Sequence, residues 1–570
     1  MKKTATVILC IFTAMAMCGC SMLQGTLYLM DTSRKRLEGK NDLNGPEEKG
    51  LPEGGLTEGG LTEGGKAGAT GLAEEEAFCP SDIAADMCWE DGAEYEVYAY
   101  CPEPGTIDWN TEEYKYLEEN GWLSSAASPF STFAADVDTA SYANVRRMLL
   151  EGKEVPADAV RIEEMINYFD YSYPAAKNGE TFSVTTKIAP CPWNRDTQLL
   201  LVGLRAKEIH QKERSGSNLV FLIDVSGSMD EYNKLPLVQR AFRLLINELD
   251  ENDTVSIVTY ANEDRIVLDG TDGSEKAVIC DAVEDLAPSG GTNGSAGLLT
   301  AYELARDHFI EGGNNRVILA TDGDLNIGMT DEGSLIRLIE EEAESGVFLS
   351  VLGFGEGNIS DTNMEAMADH GNGNYSYIDT IHEARRVLLD EAGSTLFTVA
   401  KDVKLQVEFN PAKVKGYRLI GYENRTMAAE SFADDTKDGG EIGSGHTVTA
   451  LYEIASADSS FDVNVPESKY SAERQETGSF QDEWGTLHIR YKEPEGEEST
   501  QEDFVIDDTA VLDKMDEDIS WAAGVAQFGM LLEGSPYAGD TDLSQVRERL
   551  KALTDNDEFR EEFVYLLNRA

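Results

Sequence analysis

Three continuous apolar runs, separated by amphipathic stretches, limit the fold of this sequence more than any other feature. The runs are "NLVFLIDVS" (218–226), "NRVILATDG" (315–323) and "GVFLSVLGFG" (346–355). A strand that is apolar at consecutive positions is buried on both faces, as in parallel sheets that helices cover on both sides. The stretches between the runs, such as "KLPLVQRAFRLLINEL" (234–249), have helical spacing. The alternation predicts an α/β domain over residues 217–395, built on a doubly wound, mainly parallel, Rossmann-like sheet.

Polar residues follow these runs where the strands are expected to end. Asp224, Ser226 and Ser228 end the first run, Thr292 lies in the Gly-rich segment "SGGTNG" (289–294), and Asp322 ends the second run. Ligands of open α/β sheets bind beyond the carboxyl ends of the strands, so three segments bring carboxylates and hydroxyls to one edge. Two carboxylates with neutral hydroxyls form an all-oxygen site that suits Mg²⁺ or Mn²⁺.

The same five residues resemble the metal-ion-dependent adhesion site of von Willebrand factor type A (VWA) domains. The D-x-S-x-S motif at 224–228, Thr292 of "GGTN" and Asp322 of "TDG" appear in order, with the expected elements between them. The resemblance implies that Ser226, Ser228 and Thr292 hold Mg²⁺, with Asp224 and Asp322 close to it or bound through water. It also implies an open coordination position that accepts an Asp or Glu carboxylate from a protein partner.

The flanking regions resemble bacterial VWA lipoproteins. Residues 76–216 contain "PFSTFAADVDTASYANVRR" and "DAVRIEEMINYFDYSYP", which are similar to the N-terminal segment of those proteins. Residues 396–570 resemble the domain that follows the VWA domain in them. The expected domains are therefore an N-terminal VWA-associated segment, a VWA domain and a C-terminal domain that is first β-rich and then helical.

Short strand-like segments lie on both sides of the α/β domain. Two precede it and four follow it, and several alternate apolar with polar residues, as half-buried antiparallel strands do; they are "ETFSVTTKIAP", "DTQLLLVGLRAKEI", "KDVKLQVEFNP", "YRLIGYENR", "HTVTALYEI" and "WGTLHIRYK". Two strands alone do not form a stable sheet. We therefore predict that about 180–212 and 400–494 form one β-sandwich into which the α/β domain is inserted. Flanking helices are expected at about 138–170 and 505–570, with 520–532 buried.

The N-terminus is predicted to be a secretory signal peptide over residues 1–19. Lys2 and Lys3 precede an apolar stretch that is shorter than the roughly 20 residues of a membrane span. The closing "MCGC" resembles a bacterial lipobox, which implies a lipid anchor on Cys20 and a position on the extracytoplasmic face of the cell membrane. The alternative is an ordinary secreted protein. The Gly/Glu-rich stretch from Cys20 to residue 75 has little to bury and is predicted to be a disordered tether.

Charge and cysteine content exclude several classes of protein. The formal net charge of −59 is incompatible with the basic patches that bind nucleic acid. Five cysteines follow Cys20, so an odd number leaves at least one thiol unpaired outside the cytoplasm; they are Cys79, Cys88, Cys101, Cys191 and Cys280. The first three are close enough in sequence for one local disulfide, and their spacing is not that of a zinc site.

The favoured hypothesis is a membrane-anchored, metal-dependent protein-binding module for adhesion or assembly. Two alternatives remain open: a structural scaffold in which the metal only holds loops together, and a metal-dependent hydrolase. An enzyme needs a titratable His, Glu or Cys that converges on the metal. The site segments offer only ligand-type oxygens, so we expect no catalytic residue and no enzyme activity.

Overall fold

The computed structural model describes residues 112–570, except 136–137, 178, 210–214, 324–331, 358, 392–396, 438, 464–479, 495, 497 and 555. These residues belong to a compact unit, Glu103–Ala570. The predicted signal peptide, Cys20, the tether and Cys79, Cys88 and Cys101 lie outside the described residues. In the described part, Cys191 and Cys280 are free thiols.

The strands and helices alternate in the central third of the chain and separate into β-rich and helical stretches on either side of it. The strands are β1 Leu123–Ser124, β2 Phe130–Ala134, β3 Phe182–Pro190, β4 Gln198–Ala206, β5 Ser217–Asp224, β6 Thr254–Tyr260, β7 Asp264–Asp272, β8 Asn314–Thr321, β9 Phe348–Phe354, β10 Tyr375–Ile378, β11 Thr398–Phe409, β12 Val414–Ile420, β13 Thr426–Met427, β14 Ile442–Gly443, β15 Thr447–Ser456, β16 Glu483–Lys492 and β17 Ser499–Asp507. The helices are α1 Ala140–Leu150, α2 Ile162–Asn167, α3 Leu235–Glu248, α4 Lys276–Glu284, α5 Gly294–Asp307, α6 Glu332–Glu344, α7 Asp361–His370, α8 Ile381–Arg385, α9 Glu517–Glu533, α10 Leu543–Leu550 and α11 Glu558–Leu566.

The central domain is a doubly wound α/β sheet with the strand order β10-β9-β8-β5-β6-β7. All neighbouring pairs are parallel except β6 with the edge strand β7. Both faces of β5 are buried: Phe221 stacks on Phe242 of α3 with a centroid distance of 4.4 Å, and Leu222 packs into the core on the other face. The strand β6 lies on one side of β5 and the later strand β8 lies on the other, so the order of the strands changes direction at β5. The crevice of a doubly wound sheet lies at this switch point.

The body around this domain is a β-sandwich that uses strands from both sides of the insertion. One sheet has the order β1-β12-β15-β4-β3, and the other has the order β13-β2-β11-β16-β17, with β14 beside β11. Strand β4, before the insertion, pairs with β15, after it, so that Leu201 lies opposite Leu451. The predicted fold class, an α/β domain inserted in a β-sandwich, is confirmed. Every one of the six predicted segments is a strand, divided between the two sheets.

Two parts of the body differ from the sequence prediction. Strand β2 lies in "PFSTFA", which was not predicted as a strand; Phe133 of β2 faces Leu405 of β11. Helix was predicted from about residue 505, but the chain continues in β17 and the next α-helix is α9. Both strands have a mixed polar and apolar pattern, and their backbones are fixed by long-range pairing, which local sequence does not reveal.

Helices cover the outer face of the first sheet. Along β4, Leu200 and Val202 point into the sandwich, whereas Leu199 and Leu201 pack against the helical layer that contains Trp521. Residues 520–532 are largely buried in this layer as α9, as predicted. Its first turn is capped by the Asp516 side chain, which accepts a hydrogen bond from the Ile519 backbone N–H at 3.2 Å.

The body holds the α/β domain at the β10 edge of its sheet. Helix α1 packs beside β10, and Arg146 of α1 forms ion pairs with Asp379 and, at 2.9 Å, with Glu383. The hydroxyl of Tyr168 donates a hydrogen bond to Glu383 at 2.7 Å. These groups are buried, so the contact between the body and the inserted domain depends on ion pairs as well as on apolar packing.

No helix within the described ranges has the length and apolar character needed to cross a membrane.

Candidate metal centre

Asp224 ends β5 with its carboxylate buried at the switch point of the sheet. One oxygen, Oδ1, accepts a hydrogen bond from the Ser226 backbone N–H at 2.8 Å. The other, Oδ2, accepts one from the hydroxyl of Thr321, the last residue of β8, at 3.3 Å. The carboxylate is therefore held between the ends of two neighbouring parallel strands.

Ser226 and Ser228 follow on a tight turn. Residues Gly227–Met229 form a single 3₁₀ turn, and this turn brings the two serine hydroxyl oxygens to 2.9 Å from each other. Ser226 is buried and Ser228 is half-buried. The spacing of two residues therefore places both hydroxyls on one side of the loop, and Ser226 also contacts the carboxylate of Asp224.

Thr292 lies on the second predicted loop, which is bonded to the first. The Gly227 N–H donates to the Gly290 carbonyl at 3.0 Å, and the Ser289 N–H donates to the Val225 carbonyl at 2.7 Å. Gly290 has a φ of +82°, and a Cβ there would lie 2.5 Å from Nδ2 of Asn262, whose Oδ1 accepts a hydrogen bond from the Gly291 N–H, so a larger residue would strain this loop and displace Asn262. Thr292 is half-buried two residues beyond this contact.

Asp322 follows β8 and is buried beside a cation that the sequence analysis missed. Lys234, whose side chain is only 2% exposed, donates from Nζ to Oδ2 of Asp322 at 3.2 Å. In the sequence this lysine directly precedes an amphipathic helix and has the pattern of a solvent-facing first-turn residue. Only the packing of α3 against the ends of the strands turns it inward.

The electrostatics of the site favour an added cation. Burial raises the pKa of Asp224 to about 6, and the negative charge of Asp322 adds to this, against the hydrogen bonds from Ser226. Burial and the charge of Asp224 also raise the pKa of Tyr260, at the end of β6, well above its ordinary value. Two buried carboxylates with one ammonium leave an excess of negative charge, which favours a cation.

The available donors fit a hard divalent ion. Within the described residues, no group of three or more His, Cys, Asp or Glu side chains converges to hold a metal. A metal at this edge would therefore need the hydroxyls of Ser226, Ser228 and Thr292 as well as Asp224 and Asp322. Such an all-oxygen set, completed by water, is typical of Mg²⁺ or Mn²⁺ and not of zinc. Their role as ligands remains a prediction.

Comparisons with known protein families divide the chain into three matched regions. Residues 218–387 match the von Willebrand factor type A domain, residues 108–201 match a family described as von Willebrand factor, and residues 394–570 match the family "Uncharacterized protein YfbK, C-terminal". VWA domains are in general protein-interaction modules.

Individual proteins and solved structures are also similar to this chain. A protein of Synechocystis, "Uncharacterized protein sll0103", is 31% identical over 32% of this chain and 43% of its own length. Among solved structures, "von Willebrand factor type A from Catenulispora acidiphila" covers 68% of this chain and 88% of that one, at 17% identity and a TM-score of 0.39. "Uncharacterized protein YfbK" of Escherichia coli K12 is 42% identical over 471 residues, which are 81% of both chains. The chain therefore belongs to the YfbK family and carries a von Willebrand factor type A domain.

Proposed function

We propose that this protein is a membrane-anchored, metal-dependent protein-binding module for adhesion or assembly. The observation that carries the proposal is the meeting of Asp224, Ser226, Ser228 and Asp322 at the carboxyl edge of β5 and β8, next to the loop of Thr292. When bound there, Mg²⁺ or Mn²⁺ would supply an open coordination position for an Asp or Glu carboxylate of a partner. The protein's own residues would hold the ion, orient it and keep the loops together.

The acidic composition of the chain limits which partner surfaces can approach the site. The chain has a formal net charge of −59, and the loops round the site expose Asp230, Glu231 and Glu263. A carboxylate that approaches this surface is repelled unless basic residues accompany it. We therefore expect an acidic residue flanked by Lys or Arg in the partner, and no binding of nucleic acid.

The metal part of the proposal is tested by Asp224→Ala. Removal of this carboxylate should abolish Mg²⁺ binding in isothermal titration calorimetry while the circular dichroism spectrum stays native, because Asp224 lies at the end of a strand. Lys276→Met, elsewhere in the same domain, is the control and should bind Mg²⁺ like the wild type. Equal Mg²⁺ affinity in Asp224→Ala and wild type would refute the proposed site.

The binding part is tested by a pull-down from a membrane extract with Mg²⁺ or with EDTA. A partner captured only with Mg²⁺ supports the adhesion-type role. A partner that is still captured in EDTA, and by the Asp224→Ala variant, would favour the scaffold, in which the metal only holds loops together. That the protein is not an enzyme stays a prediction, because the structure adds Lys234 and Tyr260 to the hydroxyls and aspartates of the site, and these residue types can transfer protons.

The anchor is proposed from Cys20, on the extracytoplasmic face of the membrane. Cys20→Ala should move the protein from the membrane pellet to the soluble fraction, because the lipid supplies most of the membrane affinity. Cys280→Ala is the matched control, since it removes a thiol within the described part and should leave the distribution unchanged. A Cys20→Ala protein that still pellets with membranes would contradict the anchor.

A further inference from the structure

The metal centre contains a buried lysine that the five predicted ligands do not account for. Lys234 directly precedes α3, and its ammonium lies 3.2 Å from Asp322 Oδ2 and 3.4 Å from Glu231 Oε1. The Asp322 side chain is fully buried, whereas that of Glu231 is 54% exposed. A buried lysine needs a charged partner, and this one has its buried partner in a predicted metal ligand.

The path of the Lys234 side chain is built into the fold. Its aliphatic part passes over Gly355, the residue after β9, which has a φ of +76°. A Cβ on Gly355 would lie 2.4 Å from Cε and 2.5 Å from Cγ of Lys234, so any larger residue would displace the lysine. A glycine at the end of one strand thus gives the lysine access to the carboxylate at the end of another.

The positive charge of Lys234 has opposite effects on the binding of a metal ion and on the binding of an anion. Asp224, Asp322 and Lys234 are the buried members of this group of charges, and together they carry one net negative charge when all are ionised; Glu231 is 54% exposed, so solvent screens its charge. A divalent cation changes this to one net positive charge, which a partner carboxylate then neutralises. Without the lysine, the metal-loaded site would be neutral, and a partner carboxylate would leave it negative. Because the groups are buried, these charges are poorly screened by solvent and salt.

We propose that Lys234 is a specificity-determining residue of the site: it weakens binding of the divalent cation and strengthens binding of an anionic partner group to the loaded site. This inference rests on the proposed function. It makes the metal-loaded site selective for carboxylates over neutral oxygen ligands. It also makes retention of the metal depend on the partner, because binding of the partner carboxylate removes the unfavourable net charge.

The test is Lys234→Met in the full chain, with Lys276→Met as the matched control. Lys276 is half-buried and donates to the carbonyl of Asn247, which is near the other end of α3 and about 20 Å from Lys234 along the helix. Mg²⁺ affinity is measured by calorimetry. Acetate is then titrated into the Mn²⁺-loaded protein, and the loss of metal-bound water is followed by water-proton relaxation.

We expect Lys234→Met to bind Mg²⁺ about tenfold more tightly and acetate several-fold more weakly, whereas Lys276→Met behaves like the wild type. A merely structural role of Lys234 would not change the two affinities in opposite directions. If circular dichroism shows that Lys234→Met is not folded, Lys234→Gln, which keeps a polar donor but has no charge, is measured in its place.

Unchanged or weaker Mg²⁺ binding in the folded variant, or unchanged acetate binding, would overturn this inference and leave the proposed metal site standing. A wild-type protein that binds no Mg²⁺ would overturn the inference and the proposed function together.

Discussion

Two pairs of buried carboxylates lie in the α/β domain and are neutralised in different ways. Asp379 and Glu383 follow β10 and meet Arg146 of the body, which pairs with both. Although burial acts against it, the charges of Arg146 and Arg386 lower the pKa of Glu383. This pair is neutralised by arginines, whose planar donors match the geometry of carboxylates.

The Asp224 and Asp322 pair is neutralised less completely. Among the described residues it has hydroxyls and the ammonium of Lys234 as neighbours, and burial raises the pKa of Asp224 to about 6, with a contribution from the charge of Asp322. Carboxylates are thus used to join two domains in one place, and in the other they form the site that we propose binds a cation. The difference depends on the partner groups and not on the acidic residues themselves.

The largest expected effect comes from Arg146→Met, which removes the arginine that pairs with both Asp379 and Glu383. The substitution leaves Asp379 and Glu383 buried with one cation fewer, and should lower the free energy of unfolding by about 3–5 kcal/mol. Urea unfolding monitored by fluorescence measures this. The control is Arg243→Met, which removes an ion pair with Glu284 between side chains 55% and 51% exposed and should cost less than about 1 kcal/mol. Similar losses of stability in both variants would show that the buried ion pairs of Arg146 contribute no more than an exposed ion pair.

A smaller effect is expected from Tyr168→Phe. The Tyr168 hydroxyl donates to Glu383 at 2.7 Å and accepts from Arg146 at 2.7 Å. Loss of hydrogen bonds to charged groups should cost about 1.5–3 kcal/mol in the same urea experiment. Tyr302→Phe is the control, because the buried Tyr302 hydroxyl has no hydrogen-bond partner among the described residues and its removal should cost close to nothing. A Tyr168→Phe protein as stable as the control would contradict the assigned network.

A third group of carboxylates, in the body, is expected to respond to pH. Burial and the charges of Glu423, Glu119 and Glu163 raise the pKa of Glu533 from 4.5 to about 8. Between these values the folded state binds more protons than the unfolded state, so stability should fall as the pH rises from about 4.5 to about 8.

Glu533→Gln removes this dependence. The variant should match the wild type at pH 5 and exceed its free energy of unfolding by on the order of 1 kcal/mol at pH 8.5, after allowance for partial exposure. Urea unfolding across this range measures the difference. Glu548→Gln, at an exposed position of α10, should show no such trend. A constant difference between Glu533→Gln and wild type at all pH values would contradict the assignment.

The smallest expected effect concerns Asp224→Asn in the presence of EDTA. The amide keeps the shape of the side chain and removes a buried charge, so the metal-free protein should change in stability by less than about 1 kcal/mol. Added Mg²⁺ should then raise the free energy of unfolding of the wild type, measured with urea, and leave that of the variant unchanged. A metal-free loss as large as that of Arg146→Met would mean that Asp224 is a structural residue like Asp379.

Local patterns in the sequence predicted the parts of this protein that short-range physics decides. The apolar run of β5 is determined by burial on both faces, and the two-residue spacing of Ser226 and Ser228 places both hydroxyls on one turn. Lys234 and Arg146 could not be found in this way. Each has the local pattern of an exposed helix residue, and each is buried because a distant segment supplies its carboxylate partner, Asp322 or Asp379.

The sequence alone determined the α/β alternation, the order of the candidate ligands along the chain and the interrupted sandwich, because these follow from periodicity and from the need of each strand to bury a face. Only the tertiary structure decided which strands pair and which charges meet. Segment 130–134 forms strand β2 because it pairs with β11, and Lys234 lies in the candidate metal centre because Gly355, more than a hundred residues later, leaves room for it. Such contacts have no local signal, since the energy of a buried charge depends on neighbours that only the folded chain brings together.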